Sequence, residues 1–478
     1  MAESIANKAA VGTFWAAVDR FGAMALQFGF NLVLARLLLP RDFGAIGMIE
    51  IFILVSQVLV DGGFASALIQ KKEPTQTDYS TIFYWNILMS VCLYGIIYLC
   101  APLVADFYNM PELQPVLRTI GLLLITNAMS IIQTNRLRKQ LALDKLALAN
   151  LSAYAIAGSF AVAAAHSGYG VWSLVILQLS FSTLLAVILW IVTRWTPAPV
   201  ISRDSLRELF SFGGYLLAAT LLQEICKNMQ ALVIGKRFSA TTLGLYSQAS
   251  KLDKISSYTL PNILVQVMYP VYASVQDDND RLSAMLRANT RVISFAIFPL
   301  MAILILIAAP LVVFLWGDDW APCAPYFQIM CVGGLSICLQ NVNFYAVAAK
   351  GKSHTLFNWS FYKWGFLLLT IFVGMLFGIY GILLGLVLSN FNIYFVNAFL
   401  AARHTGYTIS SQMRDILPIL LLAAACMGAV YLLQMLMPLH FILTACVYLI
   451  LYVGLAWSFR MKVAEEIKTV IGRFINKR

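Results

Sequence analysis

The chain has 478 residues, of which 60% are hydrophobic and only 12% charged, with a mean hydropathy of +0.80. A soluble chain of this length carries roughly twice that charged fraction and must show water a largely polar outside, so a water-soluble globular protein is excluded. The net charge of +11 does not signal nucleic acid, because Lys and Arg gather in alternate connecting segments, as an oriented membrane protein requires.

Crossing about 30 Å of hydrocarbon takes about 20 apolar residues. On that measure the chain reads as an all-α integral membrane protein of about fourteen transmembrane helices. In chain order the spans fall near 12–36, 44–68, 80–102, 114–134, 147–165, 170–193, 210–235, 244–270, 290–315, 324–347, 357–378, 381–402, 415–437 and 440–459. The first apolar stretch follows Lys8 and ends at Arg36 with no small-residue cleavage site, so it reads as a span rather than a signal peptide. Lys71, Lys72, Arg136, Arg138, Lys139, Lys145, Arg194, Arg203, Arg207, Arg281, Arg287, Lys350, Lys352, Arg403 and Arg414 fall on one side. The opposite loops hold few cations, among them Arg41, Lys236 and Arg237. The positive-inside rule then places both termini in the cytoplasm.

A repeat recurs at an offset of about 200 residues, as in carriers built from duplicated bundles. Leu32-Val33-Leu34-Ala35-Arg36 with Phe43-Gly44 aligns with Leu232-Val233-Ile234-Gly235-Lys236 and Leu243-Gly244. Asn150-x-Ser152-x-Tyr154 aligns with Asn358-x-Ser360-x-Tyr362, and Tyr169-Gly170-Val171 with Tyr380-Gly381-Ile382. An even number of helices per repeat makes the copies parallel, related by an axis along the membrane normal. The expected organisation is two parallel-related six-helix lobes, 1–203 and 204–414, around a central cleft. Two further helices span 415–460, and 461–478 forms a basic cytoplasmic tail. In the tail Val463, Ile467, Val470, Ile471 and Phe474 follow helical spacing, as in an amphipathic helix on an anionic leaflet; a frayed charged tail is the alternative.

Ionisable residues inside the spans are the informative ones: Asp19, Arg20, Glu50, Asp61, Arg118, Glu224, Lys227, Lys251, Asp253, Lys254, Arg291 and Lys363. Each charge facing lipid costs about 2.5–3.5 kcal/mol at the bilayer centre. Half of them in lipid would cost about 15–20 kcal/mol, more than a typical total stability of about 5–15. Most therefore face an aqueous cavity, pair with one another, or snorkel. Arg20, Gln27 and Asn31 form one stripe on the first helix, and Glu50, Gln57 and Asp61 another on the second. Gln223, Lys227 and Gln230, with Glu224 at the margin, share a face of the seventh, and Ser247, Lys251, Lys254 and Tyr258 a face of the eighth. Such stripes can line a polar cleft; buried ion pairs, such as Glu224 with Lys227, are the competing reading. The cations Arg20, Lys227, Lys251, Lys254, Arg291 and Lys363 suit an anionic substrate. Asp19, Asp61 and Glu224 are the candidates for ion coupling, with proton and sodium both open.

No catalytic constellation is present: no H-E-x-x-H, no Walker-type Gly loop and no Ser elbow, and His166, His354, His404 and His440 are scattered at loop edges. The eight cysteines form no C-x-x-C pair and read as small buried apolar residues rather than metal or redox sites. The expectation is a non-enzymatic transporter without cofactor or metal, and without a nucleic-acid partner.

Several segments resemble a known family. They are Phe43-Gly44, the run Asp61-Gly62-Gly63-Phe64-Ala65-Ser66-Ala67-Leu68-Ile69-Gln70-Lys71-Lys72-Glu73, and Tyr84-Trp85-Asn86. Further on come Tyr269-Pro270, Val275-Gln276-Asp277-Asp278, Trp316-Gly317-Asp318-Asp319-Trp320 and Cys331-Val332-Gly333-Gly334-Leu335. In these the chain resembles the polysaccharide transporter family of the multidrug/oligosaccharidyl-lipid/polysaccharide exporter superfamily, and most of all the Wzx-type flippases of colanic-acid, capsule and O-antigen repeat units. The resemblance implies alternating access without ATP hydrolysis. The implied cargo is an undecaprenyl-pyrophosphate-linked oligosaccharide, carried to the periplasmic leaflet of a bacterial inner membrane. Membrane lipids and the polysaccharide polymerase and export machinery are the implied partners. The resemblance also implies that cavity cations meet the pyrophosphate, and that the two extra helices shape a lateral opening. A multidrug or small-metabolite exporter of the same superfamily is the rival, and should favour acids in the cleft. A membrane glycosyltransferase or polymerase would need a large periplasmic loop.

Overall fold

The apolar runs between polar and glycine-rich breaks become helices throughout. The computed structural model describes residues 2–259, 268–437, 439–459, 461 and 463, and no strand occurs among them. Contacts divide the chain into Met1–Gly244 and Leu245–Arg478.

In the first unit α1 (Ala2–Leu37) leads to α2 (Pro40–Asp61), the short α3 (Phe64–Gln70) and α4 (Gln76–Tyr108). A broken span follows as α5 (Leu113–Ile120) and α6 (Leu123–Lys139), then α7 (Leu143–His166), α8 (Val171–Thr193) and α9 (Arg203–Arg237); α10 (Ala240–Asp253) continues across the division. The boundaries have local causes. Thr75 and Asp78 cap α4 reciprocally: Thr75 N donates to Asp78 Oδ2 at 2.8 Å and Asp78 N to Thr75 Oγ1 at 3.2 Å. Asn109, at φ 54°, ends α4 in the left-handed conformation that asparagine tolerates. α1 lies along α7, α7 along α8, and α6 between α4 and α8. α9 packs on α2, α3 and α4, so contacts group it with Met1–Gly244, beyond the 203/204 boundary that the repeat suggests.

The 61–73 segment is a structural joint. Gly62 (φ 57°) and Gly63 (φ 75°) break α2 from α3 in a conformation that other residues resist. Lys139 Nζ caps the α3 carboxyl end, donating to the carbonyls of Leu68 at 3.1 Å, Ile69 at 3.4 Å and Lys71. Lys71 pairs with Asp78 at 3.1 Å and Glu208 at 3.0 Å. Beneath the joint Phe64, Leu68, Ile82, Phe83, Trp195 and Leu209 form a buried cluster.

In the second unit α10 runs into a π-helical turn at Lys254–Thr259. Then come α11 (Asn279–Trp316), α12 (Cys323–Ala349), α13 (Ser353–Met375), α14 (Gly378–Thr405), α15 (Ile409–Leu436) and α16 (Phe441–Ser458). α14 packs on both α12 and α13, while α11 contacts α12, α15 and α16.

Among the described residues 11 helices are long and apolar enough to cross a membrane by length and composition. They correspond to eleven of the spans expected from the sequence. The other three, near 12–36, 210–235 and 244–270, fall on α1, α9, and α10 with the residues after it; polar stripes lower the hydropathy of α1 and α9, and 244–270 includes positions outside the described residues. α1 and α9, at 36 and 35 residues, far exceed the length a crossing needs. Residues 260–267 and the tail positions Ile467, Val470, Ile471 and Phe474 lie outside the described residues, as does the Tyr258 side chain.

The amino ends of α2 and α10 carry the sharpest packing constraint. A Cβ on Gly44 would sit 1.7 Å from the Ala240 carbonyl oxygen, and one on Gly244 would sit 1.8 Å from that of Pro40. These positions are equivalent in the repeat, so the same close backbone contact is made twice, reciprocally. Gly44→Val and Gly244→Val should each strongly reduce folded protein recovered from membranes, whereas Gly29→Ala, with open space around its Cβ, should leave recovery intact and raise stability by about 0.5–1 kcal/mol. Fluorescence-detected size-exclusion with a heating series measures this; equal recovery of all three would refute the constraint.

Candidate functional site

Two cavities in Met1–Gly244 gather the polar residues of the first helices. One, of about 610 Å³, lies among α1, the carboxyl end of α6, α7 and α8. α1 contributes Asp19, Arg20, Met24 and Gln27, α6 contributes Arg138, α7 contributes Asn150 and Tyr154, and α8 contributes Phe181. Helical spacing explains the convergence: Arg20 and Gln27 are two turns apart on one face of α1, and Asn150 and Tyr154 one turn apart on α7. Asn150 Nδ2 donates to Asp19 Oδ1 at 3.0 Å, so this carboxylate is held by an amide. Neither Arg20 nor Arg138 forms an ion pair with a described residue. Two guanidinium forks facing one cavity suit a phosphate or diphosphate, which accepts such donors in pairs. The rings of Tyr154 and Phe181 meet edge to face at 5.2 Å on the same wall.

The second cavity, of about 520 Å³, has the opposite character. Gln57, Asp61 and Ser66 face Thr220 and Glu224 of α9 across it. Asp61 Oδ1 accepts from Ala65 N at 3.4 Å and Glu224 Oε2 from Asn228 Nδ2 at 3.2 Å. Among the described residues no Lys or Arg lines this cavity, so the charged groups on its walls are the two carboxylates. No group of three or more His, Cys, Asp or Glu among the described residues could hold a metal ion.

The other expected positions are dispersed. Asn31 is half-buried on α1, Lys227 is exposed on α9, and Lys251 and Lys254 are exposed at the end of α10 and the start of the π-helical turn. Two cations expected at a cleft are engaged within the second unit instead. Arg291 Nη1 lies 3.2 Å from Asp415 Oδ1, and Asp415 Oδ2 takes Arg287 Nε at 3.1 Å and the Tyr407 hydroxyl at 2.9 Å. Lys363 is buried and donates to Asn397 Oδ1 at 2.5 Å, while Asn397 Nδ2 donates to the Gln340 carbonyl at 3.1 Å. Arg291 thus shares the Asp415 carboxylate with Arg287, and Lys363 belongs to an internal amide network, because partners from other helices reach them.

Sequence reasoning did not assign Arg138, Asn150 and Tyr154 to the site. The repeated Asn-x-Ser-x-Tyr pattern marked two of them; Arg138 was indistinguishable from a cytoplasmic anchor until α6 delivered it to the cavity.

Residues 33–325 match the family described as polysaccharide biosynthesis protein. The teichuronic acid biosynthesis protein TuaB of Bacillus subtilis (strain 168) is 24% identical over 358 residues, 74% of each chain. The lipopolysaccharide biosynthesis protein WzxC of Escherichia coli (strain K12) is 24% identical over 388 residues, 80% of this chain and 79% of that one. Among solved structures, the lipid II flippase MurJ in its inward closed conformation matches with a TM-score of 0.71 at 12% identity, covering 94% of this chain and 98% of MurJ. An inward-facing multidrug resistance MATE family transporter matches with a TM-score of 0.60 at 13% identity, covering 82% and 98%. At these identities the shared property is the fold, that of a multi-pass helical membrane protein.

The Asp415 cluster makes a specific prediction. Asp415→Ala leaves two guanidiniums and a buried tyrosine hydroxyl without this carboxylate, and should destabilise the protein by about 1–3 kcal/mol, because the Arg287 guanidinium is half exposed. Asp415→Asn should cost less. A thermal melt of the purified protein that placed Asp415→Ala at the wild-type temperature would contradict the assignment.

Proposed function

Since the chain belongs to the polysaccharide biosynthesis protein family, we propose that it carries lipid-linked oligosaccharide repeat units across a bacterial inner membrane. The cargo is an undecaprenyl-pyrophosphate-linked oligosaccharide, moved by alternating access for exopolysaccharide, capsule or O-antigen synthesis. Both termini lie in the cytoplasm and the protein is a transporter, not an enzyme; the polymerase and export machinery act on what it delivers.

The observation that supports this reading best is the α1–α7 cavity. It combines two guanidiniums without an ion-pair partner among the described residues, an amide and an aromatic wall. That set matches a diphosphate joined to a sugar, whose charge cannot cross hydrocarbon unaided. Arg20 and Arg138 hold the phosphates, while Asn150 and Gln27 offer amides to the adjoining sugar. Lys227, Lys251 and Lys254 serve as further contacts for the anionic group along its route. The acidic cavity of Asp61 and Glu224 carries the coupling ion, with Asp19 in reserve through its bond to Asn150. A drug exporter of the same fold is the weaker reading, because the relatives named above are proteins of lipopolysaccharide and teichuronic acid biosynthesis.

Deleting the gene should trap lipid-linked repeat units in the cytoplasmic leaflet and stop polymer export, read by lipid extraction and polymer quantitation. Unchanged polymer with raised drug sensitivity would instead support the exporter. Losing one charge-assisted contact of about 1.5–3 kcal/mol should lower export by Arg20→Ala or Arg138→Ala about ten- to a hundredfold. Arg403→Ala, where the guanidinium lies over the Phe399 ring 4.8 Å away, should do far less. Equal losses at all three positions would remove the cavity from the proposal.

A further inference from the structure

The cavity of Arg20 and Arg138 does not end at its aromatic wall. Along the same seam between α1 and α7 lies a second hollow of about 520 Å³, lined by Phe30, Val33, Leu37, Val162, Ala163 and two polar side chains, Ser159 and His166. Ser159 returns its hydroxyl to the Ala155 carbonyl at 2.9 Å, which leaves the groove between its ends apolar. The two hollows share a joint. The Phe30 ring lies on the bare backbone at Gly158, where a Cβ would come within 2.5 Å of it, and meets Tyr154 of the first cavity with centroids 6.2 Å apart. On α1 the order is Ala16, Arg20, Gln27, then Phe30, Val33, Leu37; on α7 it is Leu146, Asn150, Tyr154, then Ser159, Val162, His166. A basic, amide-bearing end therefore passes through an aromatic joint into an apolar groove on one continuous helix seam.

We infer that this seam is a lipid-binding site that holds the polyprenyl chain of the cargo next to its diphosphate. The inference rests on the functional reading above and adds where the chain lies. Phe30 to Leu37 rises about 10 Å along α1, the length of about two isoprene units. The direction also fits: with the amino end of α1 on the cytoplasmic side, the cations lie in the cytoplasmic half of the helix and the groove continues from them towards its periplasmic end. The paired guanidiniums distinguish this occupant from a bulk phospholipid, whose single phosphodiester needs only one.

The test uses the full-length protein in nanodiscs of phosphatidylethanolamine and phosphatidylglycerol, with a polyprenyl diphosphate bearing a diazirine on its fourth isoprene, about 20 Å from the diphosphate. Label should fall within 30–37 and 159–166 and be displaced by undecaprenyl diphosphate but not by added phosphatidylglycerol. Label elsewhere, or equal displacement by phosphatidylglycerol, overturns the site in favour of another groove or of ordinary lipid contact. Filling the groove with Ala163→Trp, and separately Val33→Trp, should cut labelling and transport by about tenfold. Binding of inorganic pyrophosphate should stay unchanged in both, which shows that the headgroup cavity is still folded. Undiminished labelling in both variants also overturns the site. If the wild type moves lipid-linked oligosaccharide but the label lies elsewhere, the groove alone fails. If it moves none, the functional reading fails.

Discussion

An ion in hydrocarbon with neither water nor a partner costs about 2.5–3.5 kcal/mol even on a lenient scale, and that cost organises this protein. The two units meet it differently. In Met1–Gly244, Asp19, Arg20, Arg138, Asp61 and Glu224 are brought to the walls of two cavities. In Leu245–Arg478, Arg287 and Arg291 close on Asp415, and the Lys363 ammonium is taken up by the Asn397 amide. Charges of the first kind line open volume; those of the second bind side chains of other helices.

The two cavities of the first unit differ in sign because different helices build them. α1 and α7 bring amides and aromatic rings up to the arginines, while α2, α3 and α9 enclose two carboxylates without a cation. The break at Gly62 and Gly63 makes the second possible. It ends α2 at Asp61, turns the chain into α3, and leaves Ser66 beside the carboxylate. Lys139 and Lys71 then fasten α3 from outside. The 61–73 run, which carries much of the family resemblance, thus shapes a cavity wall chiefly through its backbone.

Much of the site was legible along single helices. The stripe of Arg20 and Gln27 needed only a period of 3.6 residues, and so did the nearness of Asp61 to Gln57. What crossed between helices was not legible. Arg138 looked like any cytoplasmic cation, and Arg291 and Lys363 looked like cleft anchors. The engagement of Arg291 and Lys363 depends on Asp415 and Asn397, which other helices contribute.

By itself the sequence determined the class. Composition, hydropathy runs and the alternation of basic segments follow from the bilayer acting on each stretch of chain separately, and local patterning records them. Reciprocal contacts at Gly44 and Gly244, the union of the Arg20 cavity with the apolar groove at Phe30 and Gly158, and the pairing of Asp415 are decisions of the tertiary structure. Each depends on a distance between helices remote in the chain, set by side-chain packing that no single helical period encodes.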